Sequence, residues 1–139
     1  MYTLKATAAF DSAHFLAGYN GKCANIHGHR WIITAEIFSE TLEMQGQCRG
    51  MVVDFGQIKS DLKQIADSFD HSLIFEIGTL KYNTVEALSD EGFKIIPVKF
   101  RPTAENFAKN FYDSLRISGY NVKNVTVYET PDNCAMYSE

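Results

Sequence analysis

Two stretches with period-two alternation, YTLKATAAF at residues 2 to 10 and WIITAEIF at 31 to 38, dominate the first third of the chain. Alternation in branched and aromatic residues is the pattern of a strand that lays one face on a core. The two are read as hairpin partners, joined through the Gly- and Asn-rich segment Gly18 to Gly28. Further on, Asp54 can cap a helix over Phe55 to Phe69, because Ile58, Leu62, Ile65 and Phe69 recur at helical spacing. A second helix is predicted from Pro102 and Thr103, with Phe107, Phe111 and Leu115 on one stripe and a stop at Gly119. VKNVTVYET reads as a strand, and CAMY as a short one after the PDN turn. Between Phe75 and Phe100, Thr84 to Ser89 forms at most a turn or two of helix, and KIIPVKF an edge strand interrupted by Pro97. The order implies an α+β fold: an antiparallel four-stranded sheet with two main helices on one face.

At 139 residues and 45% hydrophobic composition, the chain suits a single domain over residues 1–139. Its formal charge of −4, without a basic stripe, argues against nucleic acid as a partner. No apolar run approaches the roughly twenty residues of a membrane span, and MYTLKATAAF lacks the basic head and apolar stretch of a secretory leader. A cytoplasmic protein is expected. Cys23, Cys48 and Cys134 are odd in number and widely spaced, so reduced thiols are the simpler reading.

The chemistry concentrates in KCANIHGHRW, residues 22 to 31, which holds two of the four histidines. Side chains two apart on a strand share a face, so His27 and His29 can reach one point while Gly28 leaves the opposite side open. His14, in FDSAHF, comes near them if the strands pair. Three nitrogen ligands with a vacancy suit a catalytic Zn²⁺. Two alternatives stay open on residue types alone: loop histidines bonded to backbone, or a closed site with Cys23 as a fourth ligand. An unligated Cys23 beside a metal would serve as base or nucleophile. Cys48 and Cys134 are assigned to packing or surface.

FDSAHF, the Cys23-to-His29 block, GMVVDFGQIK at 50 to 59, FDH at 69 to 71, PTAEN at 102 to 106 and VYET at 127 to 130 together resemble the 6-pyruvoyl-tetrahydropterin synthase superfamily. The likeness runs nearly end to end and is strongest to its bacterial 6-carboxytetrahydropterin synthase branch, of queuosine biosynthesis. Three residues separate Cys23 from His27, the carboxy-forming pattern; pyruvoyl-forming members usually carry a longer interval. The resemblance implies His14, His27 and His29 as zinc ligands, Cys23, Asp70 and His71 as the proton-transfer triad, and Glu129 as the pterin anchor. Thr103 and Glu105 match positions that help line the pterin pocket. The implied reaction converts 7,8-dihydroneopterin triphosphate to 6-carboxy-5,6,7,8-tetrahydropterin, with acetaldehyde and triphosphate released by a carbon-carbon lyase. The family fold is the tunnelling fold, whose subunit sheets join into a trimeric β-barrel, often stacked as a hexamer, with active sites at subunit boundaries. Glu129 is then expected to serve a neighbour's zinc.

By default Asp70 and His71 form a solvated corner, Glu129 an exposed charge, and Glu105 a complement to the helix dipole. The run DHSLIF departs from the family's usual leucine and asparagine, and the connection to PTAEN is longer, which alters the pocket rim. Lys22, Arg30 and Arg101 are the candidate triphosphate contacts. Two rival functions are pyruvoyl-tetrahydropterin synthesis from the same substrate and nonenzymatic pterin or zinc binding.

Overall fold

The alternating N-terminal segments do pair, and over a longer span than their pattern announces. In the computed structural model, which describes residues 1–139, β1 covers Tyr2–His14 and β2 covers His27–Ser39. They run antiparallel in unbroken register from Tyr2 opposite Ser39 to His14 opposite His27. The expected strand limits, residues 10 and 31, fall short because Asp11 to His14 and His27 to Arg30 are polar, and hydrophobic alternation cannot register them. The histidines therefore stand on strands. A single 3-10 turn, Lys22–Ala24, interrupts the shortened connection.

Helix α1 spans Phe55–Phe69, and its cap is the expected one: the Asp54 carboxylate accepts the Gly56 N–H at 2.6 Å. After it come β3 (Ser72–Glu76), α2 (Tyr82–Asp90) and β4 (Ile95–Val98). Helix α3, Ala104–Ile117, is followed by β5 (Val122–Thr130) and β6 (Asn133–Tyr137). Gly119, with φ 95°, ends α3 in the left-handed conformation: its N–H bonds to Arg116 and that of Tyr120 to Leu115, the paired Schellman bonds.

The sheet has six strands in the order β4-β3-β1-β2-β5-β6, which corrects the four-stranded antiparallel expectation. It is mixed, since β3 runs parallel to β1 and β4 parallel to β3. SLIFE, a short apolar run between two parallel neighbours, carries no alternation to find, whereas IIPV is the edge strand expected in KIIPVKF. Parallel pairing also needs a crossover, supplied by α2, a third helix with no buried residue.

Helices α1 and α3 pack on one sheet face, α1 on β1 and α3 on β5 and β6. Ile58 and Leu62 of α1 and Phe107, Phe111 and Leu115 of α3 are sealed there. Each contributes on the order of 1.5–3 kcal/mol of hydrophobic stabilisation. At the centre Phe10 and Trp31, opposite each other in register, stack with ring centroids 6.1 Å apart, and Phe107 meets Trp31 at 5.0 Å. That aromatic plug floors the site, because the next core-facing residues along β1 and β2 are Ser12, His14, His29 and His27.

Candidate metal centre and proton-transfer dyad

Strand periodicity makes this centre. Phe10, Ser12 and His14 of β1 face the helices, as do Trp31, His29 and His27 of β2, and register sets His14 directly across from His27. The three imidazole centroids lie 4.5, 5.0 and 5.1 Å apart, and one nitrogen of each ring falls within 4.8 Å of the others.

Two rings are oriented by backbone carbonyls, which can only accept. His14 donates its Nδ1–H to Pro102 at 2.7 Å, and His27 donates its Nδ1–H to Asn25 at 2.6 Å. With Nδ1–H committed in this way, Nε2 is the nitrogen each ring presents to a metal. His14 Nε2 and His29 Nε2 are buried and have no hydrogen-bond partner; the other two such side-chain atoms in the chain are Ser12 Oγ and Trp31 Nε1. Every unsatisfied buried side-chain group thus belongs to this one end of the hairpin, the signature of a bound group. The donor set fits zinc: three imidazole nitrogens and an open side. Burial drives the His14 pKa down to about 4, against the Pro102 bond and with repulsion from His27 and His29. Burial also lowers His29, opposed by Glu129. Neutral rings are the ligating form.

Glu129 stands on the core-facing side of β5, its Oε1 3.5 Å from His29 Nε2. Within one chain it lies beside that chain's own histidines, because β5 pairs with β2. Cys23 lies on the 3-10 turn, partly buried, with its carbonyl accepting the Leu16 N–H at 2.8 Å. Its sulfur is outside the histidine set. Cys48 is partly buried and Cys134 exposed, and neither forms a disulfide.

Asp70 and His71 follow α1 directly. The Asp70 carboxylate accepts the Asp11 N–H at 2.8 Å on one oxygen and the His71 Nδ1–H at 2.8 Å on the other. The first of these bonds, then the second, holds its pKa below the usual carboxylate value. His71 is a non-glycine residue with φ 52°, kept there by its N–H bond to the Asp11 carbonyl. Lys94 donates to the Asp70 carbonyl at 2.9 Å and to that of Asp67, closing the end of α1. The dyad's geometry leaves His71 Nε2 free and 81% of the side chain exposed.

His71 lines a cleft of about 730 Å³ with Asp11, Ala13, Arg30 and Leu73. The same cleft is lined by Ser12 and His29, so within one chain it reaches from the dyad to the edge of the histidine triad. Thr103 caps α3, its hydroxyl accepting the Asn106 N–H at 3.4 Å, and Glu105 is exposed in the first turn. Lys22 and Arg30 are exposed, Arg30 paired with Asp11 at 3.1 Å, while Arg101 is committed to backbone. Sequence reasoning missed Pro102, Asn25 and Lys94, which act through backbone carbonyls or on them. Only proximity could reveal them.

Residues 3–139 match the family described as 6-pyruvoyl tetrahydropterin synthase. The chain belongs to that family. It is 32% identical to the 6-carboxy-5,6,7,8-tetrahydropterin synthase of Haemophilus influenzae across the whole of both chains. It is 36% identical to the enzyme of the same name from Rickettsia felis, with 90% of this chain and 91% of that one covered. Among solved structures, a Wolinella succinogenes protein superposes with a TM-score of 0.81 at 20% identity, covering 99% of this chain and 98% of that one. The 6-pyruvoyl tetrahydropterin synthase of Plasmodium falciparum superposes at 0.69 and 19% identity, with the same coverage. These two likenesses concern the fold. The chain is an enzyme of the pterin synthase family, and no helix in it is long and apolar enough to cross a membrane.

Proposed function

We propose that this chain is a zinc-dependent carbon-carbon lyase that converts 7,8-dihydroneopterin triphosphate to 6-carboxy-5,6,7,8-tetrahydropterin, releasing acetaldehyde and triphosphate. The observation that carries the reading is the triad of imidazoles with Nδ1 protons committed on His14 and His27 and Nε2 atoms unpartnered on His14 and His29. The curated relatives' names supply the product, and the short Cys23-to-His27 interval agrees with the carboxy-forming branch. Queuosine biosynthesis in the cytoplasm is the matching context.

Zinc held by His14, His27 and His29 would supply electrophilic polarisation of the substrate's side-chain oxygens. The protein does the rest. Cys23, as thiolate, takes a proton from the carbon beside those oxygens, and His71 exchanges the hydroxyl proton through its free Nε2. Asp70 keeps the His71 tautomer and supports its charged form. Glu129 accepts two parallel N–H bonds from the pterin amino group and ring nitrogen, which sets orientation at the metal centre. Thr103 and Glu105 line the pterin pocket at the start of α3.

On this reading a complete site draws its dyad from a neighbouring copy, and the sheet's edge strands β4 and β6 are where copies would join. The functional species is then a homo-oligomer, a trimer or hexamer closed through sheet edges, which would also cover β4 and β6. Incubation with dihydroneopterin triphosphate, assayed for acetaldehyde and product mass, tests the reaction. A product retaining its three-carbon side chain would establish the pyruvoyl-forming activity instead. Tight pterin binding without turnover would make the chain a binding protein.

A further inference from the structure

The corner that begins α3 is held unusually firmly for a loop. The Arg101 carbonyl accepts two donors, the Thr103 N–H at 2.8 Å and the Asn106 side-chain amide at 2.9 Å. From that base the Arg101 guanidinium crosses to the β1–β2 connection and donates to the Ala17 carbonyl at 3.1 Å. It also sits 5.9 Å from the centroid of the Tyr19 ring. Tyr19 in turn lies on Gly21: a Cβ at Gly21 would meet the ring at 2.7 Å, so that position accepts no side chain without displacing the aromatic. The connection closes on itself through Leu16 N–H to the Cys23 carbonyl at 2.8 Å and Ala24 N–H to Gly21 at 3.1 Å. The next residue of the same corner, Pro102, orients His14.

We infer that Arg101 is a positioning residue for Cys23, and not a triphosphate contact: one rigid corner registers the thiol-bearing turn through Arg101 and a metal ligand through Pro102. Both of the guanidinium's roles are on the protein itself, a carbonyl and a ring, and its backbone is pinned from two sides. A long cationic side chain free to follow a phosphate would show neither. This role rests on the reading of Cys23 as the proton-transfer thiol, whereas the tether stands without it.

The test uses the zinc-loaded full chain as Arg101→Met, Arg101→Lys and, as a milder surface variant, Tyr19→Leu. Amide hydrogen exchange is expected to quicken about tenfold at Leu16 and Ala24 in Arg101→Met and less in Tyr19→Leu, with amides of β1, β2 and α3 unchanged. Zinc content should stay at the wild-type level. In turnover, kcat should fall about tenfold with KM for the triphosphate substrate within roughly twofold, as for a misplaced catalytic group. Arg101→Lys, which can still reach the Ala17 carbonyl, should recover most of both signals. Wild-type exchange at Leu16 and Ala24 in Arg101→Met would overturn the inference, as would a raised KM with unchanged kcat, the mark of a phosphate contact. If the wild-type protein fails to release acetaldehyde, the proposed reaction falls, and the exchange measurement still decides whether Arg101 holds the turn.

Discussion

The Nδ1–H of His14 is donated to the Pro102 carbonyl over 2.7 Å, across 88 positions of sequence. It locks a buried imidazole of β1 to the segment that opens α3, so the histidine cluster and the helix layer share one anchor. His14→Ala would leave the Pro102 carbonyl without its donor and a void beside Trp31. The metal-free variant should lose about 2–4 kcal/mol in urea unfolding. His27→Ala, whose Nδ1 bond lies at the exposed rim, should lose less than about 1 kcal/mol. Both should abolish stoichiometric zinc, measured by atomic emission on the purified protein.

Asp70→Asn separates charge from shape. The amide still offers one oxygen to the Asp11 N–H, but it cannot stabilise a charged His71, so turnover should drop about 10²-fold with zinc retained. The pH dependence has a definite sign. The folded pKa of Asp70 lies below its unfolded value, so the carboxylate's stabilisation is complete above the ordinary carboxylate range and is lost as pH falls through the lower folded value. Urea midpoints of wild type and Asp70→Asn should differ near neutrality, begin to approach each other as pH falls through about 4, and meet only below the lower folded pKa.

How much of this was legible beforehand follows from which forces leave a pattern. Alternation in TLKATAAF and WIITAEIF, the Asp54 cap and the stripe of Phe107, Phe111 and Leu115 are local signals, and each element formed where they stand. Within residues 72 to 98 the helix around Thr84 to Ser89 and the edge strand in KIIPVKF were legible and stand as α2 and β4, whereas β3 and the parallel pairing were not, because they depend on partners distant in sequence and on an apolar run without period. Within the site, spacing alone places His27 and His29 on one face, and hairpin register brings His14 to them. The placement of His71 comes from its left-handed backbone and its bond to Asp11, neither of which has a sequence signature.

Subunit mixing decides whether the dyad serves its own chain's site or a neighbour's. Cys23→Ala and His71→Ala should each lose nearly all activity while keeping zinc, since neither side chain belongs to the histidine set. If a site takes its thiol from one copy and its dyad from the next, random co-assembly of the two variants rebuilds roughly one site in four. Mixed oligomers, with exchange verified by native mass spectrometry, should therefore recover about a quarter of wild-type turnover. No recovery after verified exchange would mean that each chain completes its own site.

Trp31, the only tryptophan in the chain, offers a readout of the metal independent of catalysis. Its ring is fully buried, edge-on to His14 at 4.9 Å and to His29 at 5.3 Å between centroids. Its Nε1–H has no partner, so the indole is sensitive to any change in local field. Zinc drawn to the triad places a divalent charge behind both imidazoles, one ring away from the indole. Titrating zinc into metal-free protein should shift Trp31 emission along a curve that saturates at one equivalent per chain. His29→Ala should flatten that curve, whereas Cys23→Ala should leave its stoichiometry unchanged, because the sulfur lies outside the ligand set. Saturation at one equivalent that is lost in Cys23→Ala would make the thiol a ligand and remove it from proton transfer.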